Sequence, residues 1–254
     1  MANLDILTYG FSFTTDQGGL GWSTISLVTA GRQNIVIDTG PASRRPLLYR
    51  ALRERGLDFE DIDTVVLTHL HWDHCQNTDL FRDARIAVHP KELEYARNPN
   101  RGDVSAAWYI ADMLGKMKVE PVSEGDEIVE GVSVLETPGH TKGHIAVVVE
   151  AGHEKVLVAG DALPEAGTVK IGLPYNVFWD VDDARDSVEK ILDASNVFYP
   201  GHDRPFRLDG ERIEYLHGPT QVEISGSSEG GGTTAVTYRV EARREVNIDT
   251  VQKA

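Results

Sequence analysis

One cysteine, Cys75, is all the thiol chemistry the sequence has, so no disulfide can close within the chain and a reduced compartment is the simpler expectation. Its place beside His74 allows a metal ligand, although a small buried thiol packed behind a site is the better reading. Positive charge is scarce too: 25 Lys and Arg face 40 Asp and Glu, and a formal charge of −15 argues against an extended nucleic-acid surface. No apolar run reaches the length of a membrane span, and Met1-Ala2-Asn3-Leu4-Asp5 has neither the basic nor the apolar region of a signal peptide. The expectation from these absences is a cytoplasmic protein without membrane association.

What is present is a dense group of polar side chains. Thr68-His69-Leu70-His71-Trp72-Asp73-His74 follows directly on a short apolar run, Thr64-Val65-Val66-Leu67, that reads as a buried strand. Side chains two apart on an extended chain point the same way, so His69 and His71 can converge on one metal while Asp73 and His74, as the chain turns, reach a second. A lone histidine is an ordinary surface or core residue. Four ligand-type groups at one strand end are not, because a packed core would have to satisfy each of them.

The same arrangement recurs along the chain. Residues 22–29 and 34–38 read as two strands, and Asp38 at the end of the second either orients a ligand loop or caps the helix expected over residues 43–55. Ahead of them, residues 14–21 form a polar, Gly-rich loop of the kind that covers sites. His89 stands alone at the end of a strand over residues 85–88 and reads as structural; residues 103–117 have helical spacing. Pro138-Gly139 forces a turn that presents His140 as a ligand at a strand end, with His144 as a hydrogen-bonding support. Lys155-Val156-Leu157-Val158-Ala159 closes on Gly160-Asp161, and Asn196-Val197-Phe198-Tyr199 closes on Pro200-Gly201-His202. Residues 167–180 form a loop whose Tyr175, Phe178 and Trp179 either line a cleft or pack the loop. Residues 221–225 and 233–247 alternate like a β-hairpin, an edge that can also support a homodimer.

This order of residues resembles the metallo-β-lactamase superfamily, whose members carry an HxHxDH motif followed by a distant His, Asp and His. Asp38-Thr39-Gly40-Pro41 and Pro200-Gly201-His202-Asp203-Arg204-Pro205-Phe206-Arg207 are, further, similar to the metallo-β-lactamase domain-containing protein 1 group. The resemblance implies an α/β fold, an αβ/βα four-layer sandwich of two mixed β-sheets flanked by helices; residues 1–218 are assigned to it, and the alternating tail, residues 219–254, reads as a C-terminal β extension packed on the same domain. Carried over by position, His69, His71 and His140 hold one metal, Asp73, His74 and His202 a second, and Asp161 bridges them; Asp38, Thr68 and His144 support these ligands. Two divalent ions are implied, zinc first, with iron or manganese also compatible with imidazole and carboxylate. A hydroxide shared by the two ions, oriented by Asp73, would then attack the substrate.

For the reaction, the resemblance implies hydrolysis of an ester, lactone or thioester of a small molecule. His71 stands where the flavin-dependent iron oxidoreductases of the superfamily generally carry Glu, and residues 162–201 are too few for the extra domain of many superfamily nucleases. A mononuclear iron persulfide dioxygenase and a phosphodiesterase or nuclease are the alternatives, and a non-enzymatic metal-binding protein is the third. The tyrosine that acyl-homoserine lactonases place three residues after the bridging Asp corresponds here to Pro164. Arg204 either recognises an anionic substrate or forms a surface salt bridge.

Overall fold

The computed structural model describes residues 2–16 and 18–218. The β extension expected over residues 219–254 lies outside them. In chain order the first half contains β1 (Ala2–Thr8), β2 (Thr14–Thr15), β3 (Gly18–Gly19), β4 (Ile25–Ala30), β5 (Gln33–Ile37), α1 (Arg45–Glu54), β6 (Thr64–Val66), α2 (Trp72–Cys75), β7 (Arg85–Val88), α3 (Pro90–Arg97), α4 (Trp108–Leu114) and β8 (Lys118–Pro121). The second half contains β9 (Glu127–Val129), β10 (Val132–Glu136), β11 (Ile145–Ala151), β12 (Glu154–Gly160), α5 (Thr168–Ile171), α6 (Val181–Ala194), β13 (Val197–Pro200), β14 (Phe206–Asp209) and β15 (Arg212–Tyr215).

Two mixed sheets result, in the orders β1-β4-β5-β6-β7-β8 and β15-β14-β13-β12-β11-β10-β9, with β2 and β3 as a small separate ribbon. Strands β5 to β8 run parallel, as do β12 and β13; the remaining pairs are antiparallel. A parallel strand covered on both faces must be apolar where it is covered, and residues 35–37 of β5, 65–66 of β6 and 86–88 of β7 obey this, with the polar Gln33, Asn34, Thr64 and Arg85 at the strand starts. Ile35, Ile37, Val66 and Ala87 pack against Val132, Val134, Ile145 and Val147 of the opposite sheet. Their neighbours Val36, Val65 and Ile86 turn the other way, toward Leu48, Ala51 and Leu52 of α1. On the far side Ile191 of α6 covers Leu157, Ala159 and Phe198. The layers are therefore helix, sheet, sheet, helix.

Two segments differ from expectation: the loop of residues 167–180 opens with the short helix α5, and one helix is shortened. The helix expected over residues 103–117 is confined to Trp108–Leu114, because the Asp103 carboxylate accepts the Ser105 and Ala106 N–H groups and holds that stretch as a turn bridged to His71. The polar stretch after His202 forms the hairpin β14–β15, seated by Phe206, which is fully buried against Phe198. Its apolar residues alternate with Arg207, Asp209 and Glu214, which hides the strand signal from a reading by composition. Among the described residues no helix is long and apolar enough to cross a membrane.

Candidate metal centre

Strands β6, β12 and β13 and the turn after β10 end along one edge of the two sheets, and each delivers its polar residues there. Three overlapping groups have donor atoms within 4.8 Å of one another: His69, His71 and His140; His69, His74 and Asp161; and Asp73, His74 and His202. All seven ligand-type residues expected from the sequence are thus brought together. His71 Nδ1 faces His140 Nε2 at 3.0 Å, and His74 Nε2 faces His202 Nε2 at 3.4 Å. Asp161 Oδ1 lies 3.2 Å from both His74 Nε2 and His202 Nε2, while its Oδ2 lies 3.5 Å from His140 Nε2.

The outward nitrogen of each ring explains why the inward one is bare. His71 Nε2 donates to Asp103 at 2.9 Å, His74 Nδ1 to Asp38 at 2.7 Å, His140 Nδ1 to the Asn176 carbonyl at 2.9 Å and His202 Nδ1 to the Trp22 carbonyl at 3.0 Å. Every one of these partners is an acceptor only, which assigns the ring proton to the outer nitrogen. Thr68 Oγ1 donates to Asp38, so it accepts from His69 Nδ1 at 3.1 Å. Five lone pairs therefore point inward, and something positive must stand between each facing pair: a proton when no metal is present, a metal ion otherwise.

Burial opposes charge on His71, His74 and His202, but Asp103 outweighs it at His71, Asp161 and Asp38 at His74, and Asp161 at His202, so all three are raised above the ordinary imidazole value. Asp161 is held well below the ordinary carboxylate range, His202 and His74 overcoming the burial that would raise it. Burial lowers His140 to about 4 and, with His74, takes His69 well below its usual value. His69 Nε2 is consequently an unprotonated, buried acceptor with no hydrogen-bond partner among the described residues. Such an atom is costly unless a cation meets it, and the imidazole and carboxylate donors around it suit a divalent ion.

Asp38, Thr68 and His144 stand behind these groups. Asp38 caps no helix; with a left-handed backbone (φ 58°) it accepts the Thr68 N–H, the Thr68 hydroxyl and His74 Nδ1–H. His144 accepts the Asp161 N–H through Nε2 at 3.0 Å while its Nδ1 faces Thr137 Oγ1 at 2.8 Å, so it orients Asp161 and does not join the ligands. Cys75 is buried with its Sγ on the His71 carbonyl, and His89 caps α3 and pairs with Glu136, both structural.

A cleft of about 190 Å³ opens onto His71, Asp73, His140, Asp161 and His202, walled by Phe13, Trp72, Tyr175 and Phe178. Of the two readings the sequence left open for Tyr175 and Phe178, the structure has them line this cleft, Phe178 standing edge-on to His71 at 5.2 Å and to His140 at 5.4 Å. Trp179 instead packs against Tyr95 and Lys142 and is not among the described residues lining the cleft. Arg204 is likewise turned away: its guanidinium stacks on Tyr215 at 3.8 Å and donates to the His217 carbonyl. Sequence reasoning missed Asp103 and the carbonyls of Trp22 and Asn176. A carbonyl is common to every residue, and Asp103 ends no strand, so nothing in the sequence marks any of them.

Comparison with known proteins agrees with this geometry. The sequence signature described as the metallo-beta-lactamase superfamily matches residues 18–202. A probable metallo-hydrolase of Methanocaldococcus jannaschii is 30% identical over 194 residues, covering 72% of this chain and 89% of that protein. Metallo-beta-lactamase domain-containing protein 1 of Xenopus laevis is 32% identical over 210 residues, covering 81% and 82%. The solved structure of AidC, a dizinc quorum-quenching lactonase in complex with its product, superposes with a TM-score of 0.63 at 19% identity, covering 81% of this chain and 82% of that one, a likeness of fold. A match that runs from residue 18 to the last histidine of the cluster carries one conclusion: the chain belongs to the metallo-β-lactamase superfamily, as a metal-dependent hydrolase.

Proposed function

We propose that the protein uses two divalent cations, zinc in the first place, to hydrolyse a carboxylic ester, lactone or thioester of a small molecule. The observation that carries this reading is the inward set of five imidazole nitrogens with Asp73 and Asp161, which faces an open cleft and is not sealed in the core. His69, His71 and His140 would hold one cation and Asp73, His74 and His202 the other, with Asp161 between them. When bound, such ions supply Lewis acidity at the reacting carbonyl and acidify water enough to make it a nucleophile near neutral pH.

The remaining work falls to the chain itself. Asp73 lines the cleft with its Oδ2 3.3 Å from His202 Nε2, where it can orient the attacking water. Asp161 keeps its charge through its depressed pKa. Phe178, Tyr175, Phe13 and Trp72 give the cleft aromatic walls, and Ser12, Ser105 and Asn176 add polar groups, a lining suited to an uncharged acyl group. The modest volume favours a small molecule over a polymer. The dizinc lactonase of the same fold supports both the metal count and the bond class.

Elemental analysis of the purified protein, paired with a panel of lactones, thioesters, aryl esters and bis-aryl phosphodiesters, tests this. Two equivalents of metal with turnover of the acyl substrates is the expected result. Turnover of phosphodiesters alone, or one iron with oxygen consumption on glutathione persulfide, would overturn it.

A further inference from the structure

One buried carboxylate takes no part in the chemistry above. Glu92, on α3, is 1% exposed and is not among the described residues lining the cleft. Its Oε1 accepts the Leu70 N–H and its Oε2 the Gly143 N–H, each at 2.9 Å. Leu70 lies between His69 and His71, and Gly143 lies on the turn that starts at His140, so this single side chain ties the two turns that carry the first group of imidazoles.

The contact is close enough to dictate sequence. A Cβ on Gly143 would stand 2.2 Å from the Glu92 backbone nitrogen and 2.8 Å from its Cα, so only glycine lets the His140 turn press against α3. The same helix serves His71 again: Tyr95 donates to Asp103 at 2.8 Å, and Asp103 also accepts the hydrogen bond from His71 Nε2–H. The other group has separate supports, since His74 is held by Asp38 and His202 by the Trp22 carbonyl.

We infer that Glu92 is a positioning residue for the cation site of His69, His71 and His140: by taking one backbone N–H from each turn it sets the separation at which His71 and His140 face each other. It controls affinity at that site and leaves the site of Asp73, His74 and His202 alone. The inference rests on the two-cation reading above. A buried glutamate that merely stabilised the fold would weaken both sites together when altered.

Cobalt(II) titration separates the two roles. Glu92→Gln preserves the shape and one acceptor oxygen, but turns an NH₂ group toward one of the two N–H donors. Cation-free wild type and E92Q are titrated with cobalt(II), with occupancy read from visible absorption, affinity from chelator competition, and thermal unfolding recorded without metal. The expected result is one site at wild-type affinity and the other weaker by about 10–100-fold, the usual cost of losing a ligand's outer support. The residual spectrum should match that of a His71→Ala variant.

Gly143→Ala, which strains the same contact from the opposite side, should give the same one-site loss. If E92Q is not recovered folded, Glu92→Asp, which keeps the charge but cannot span both turns, is read by the same criterion. Two sites of unchanged affinity, or two sites weakened equally with a fall in Tm, would overturn the inference. Wild-type protein that binds a single cobalt overturns the two-cation reading. The site-selective role assigned to Glu92 falls with it, whereas two cobalt sites in wild type with both unchanged in E92Q overturn that role alone.

Discussion

His71 Nδ1 and His140 Nε2 stand 3.0 Å apart although 69 positions separate them in the chain, and each ring directs its N–H to an acceptor behind it. Two lone pairs at that distance repel unless a positive charge lies between them. The fold therefore holds in place an arrangement that a cation relieves, and the residues behind the ligands matter as much as the ligands.

Asp103 is the sharpest case. Asp103→Asn replaces the carboxylate that accepts hydrogen bonds from His71 and Tyr95 with an amide of the same shape. Metal affinity at the His69, His71 and His140 group should fall by about 10–100-fold, as for other outer supports. The buried network should lose about 1–3 kcal/mol. Metal titration and thermal unfolding of the cation-free protein measure the two effects separately.

Asp38 permits a comparison between chemistry and backbone. Its φ of 58° is tolerated by Asn but strains Ala. Asp38→Asn should weaken metal binding with modest loss of stability, whereas Asp38→Ala should cost about 1–2 kcal/mol more, the price of a left-handed non-glycine residue. Equal unfolding midpoints for the two variants would refute this.

The pH response should differ between the two groups. Both imidazoles of the Asp73, His74 and His202 group have raised pKa values, whereas of the other three only His71 does. A raised value means that the cation-free fold retains the proton, which contributes stability below the ordinary imidazole pKa and is lost as pH rises through the raised one. Metal must expel those protons. Lowering the pH from about 8 to about 6, across the ordinary imidazole range, should empty the Asp73, His74 and His202 site first, as seen by stepwise cobalt release.

Phe178 links packing to specificity. It is 8% exposed and edges both His71 and His140 while lining the cleft. Phe178→Ala should cost about 3 kcal/mol by cavity formation and admit bulkier acyl groups. A substrate series of increasing acyl size should show the optimum moving upward, chiefly in KM.

Much of this protein is legible in its sequence, and the reason is local. Apolar runs of three to seven residues ending in His or Asp mark strands whose ends carry ligands, as at Leu67-Thr68-His69 and Gly160-Asp161, because a strand's period and a turn's glycine are short-range properties. They marked the individual strands and all seven converging residues, whose order in turn resembles the metallo-β-lactamase superfamily and so implied two sheets. Only the tertiary structure decided how those residues are held. Asp103, Glu92 and the carbonyls of Trp22 and Asn176 meet the site across 22 to 180 positions of chain. It also decided that Arg204 and Trp179 face away from the cleft, since a side chain's direction depends on which partner, here Tyr215 or Tyr95, the fold brings beside it.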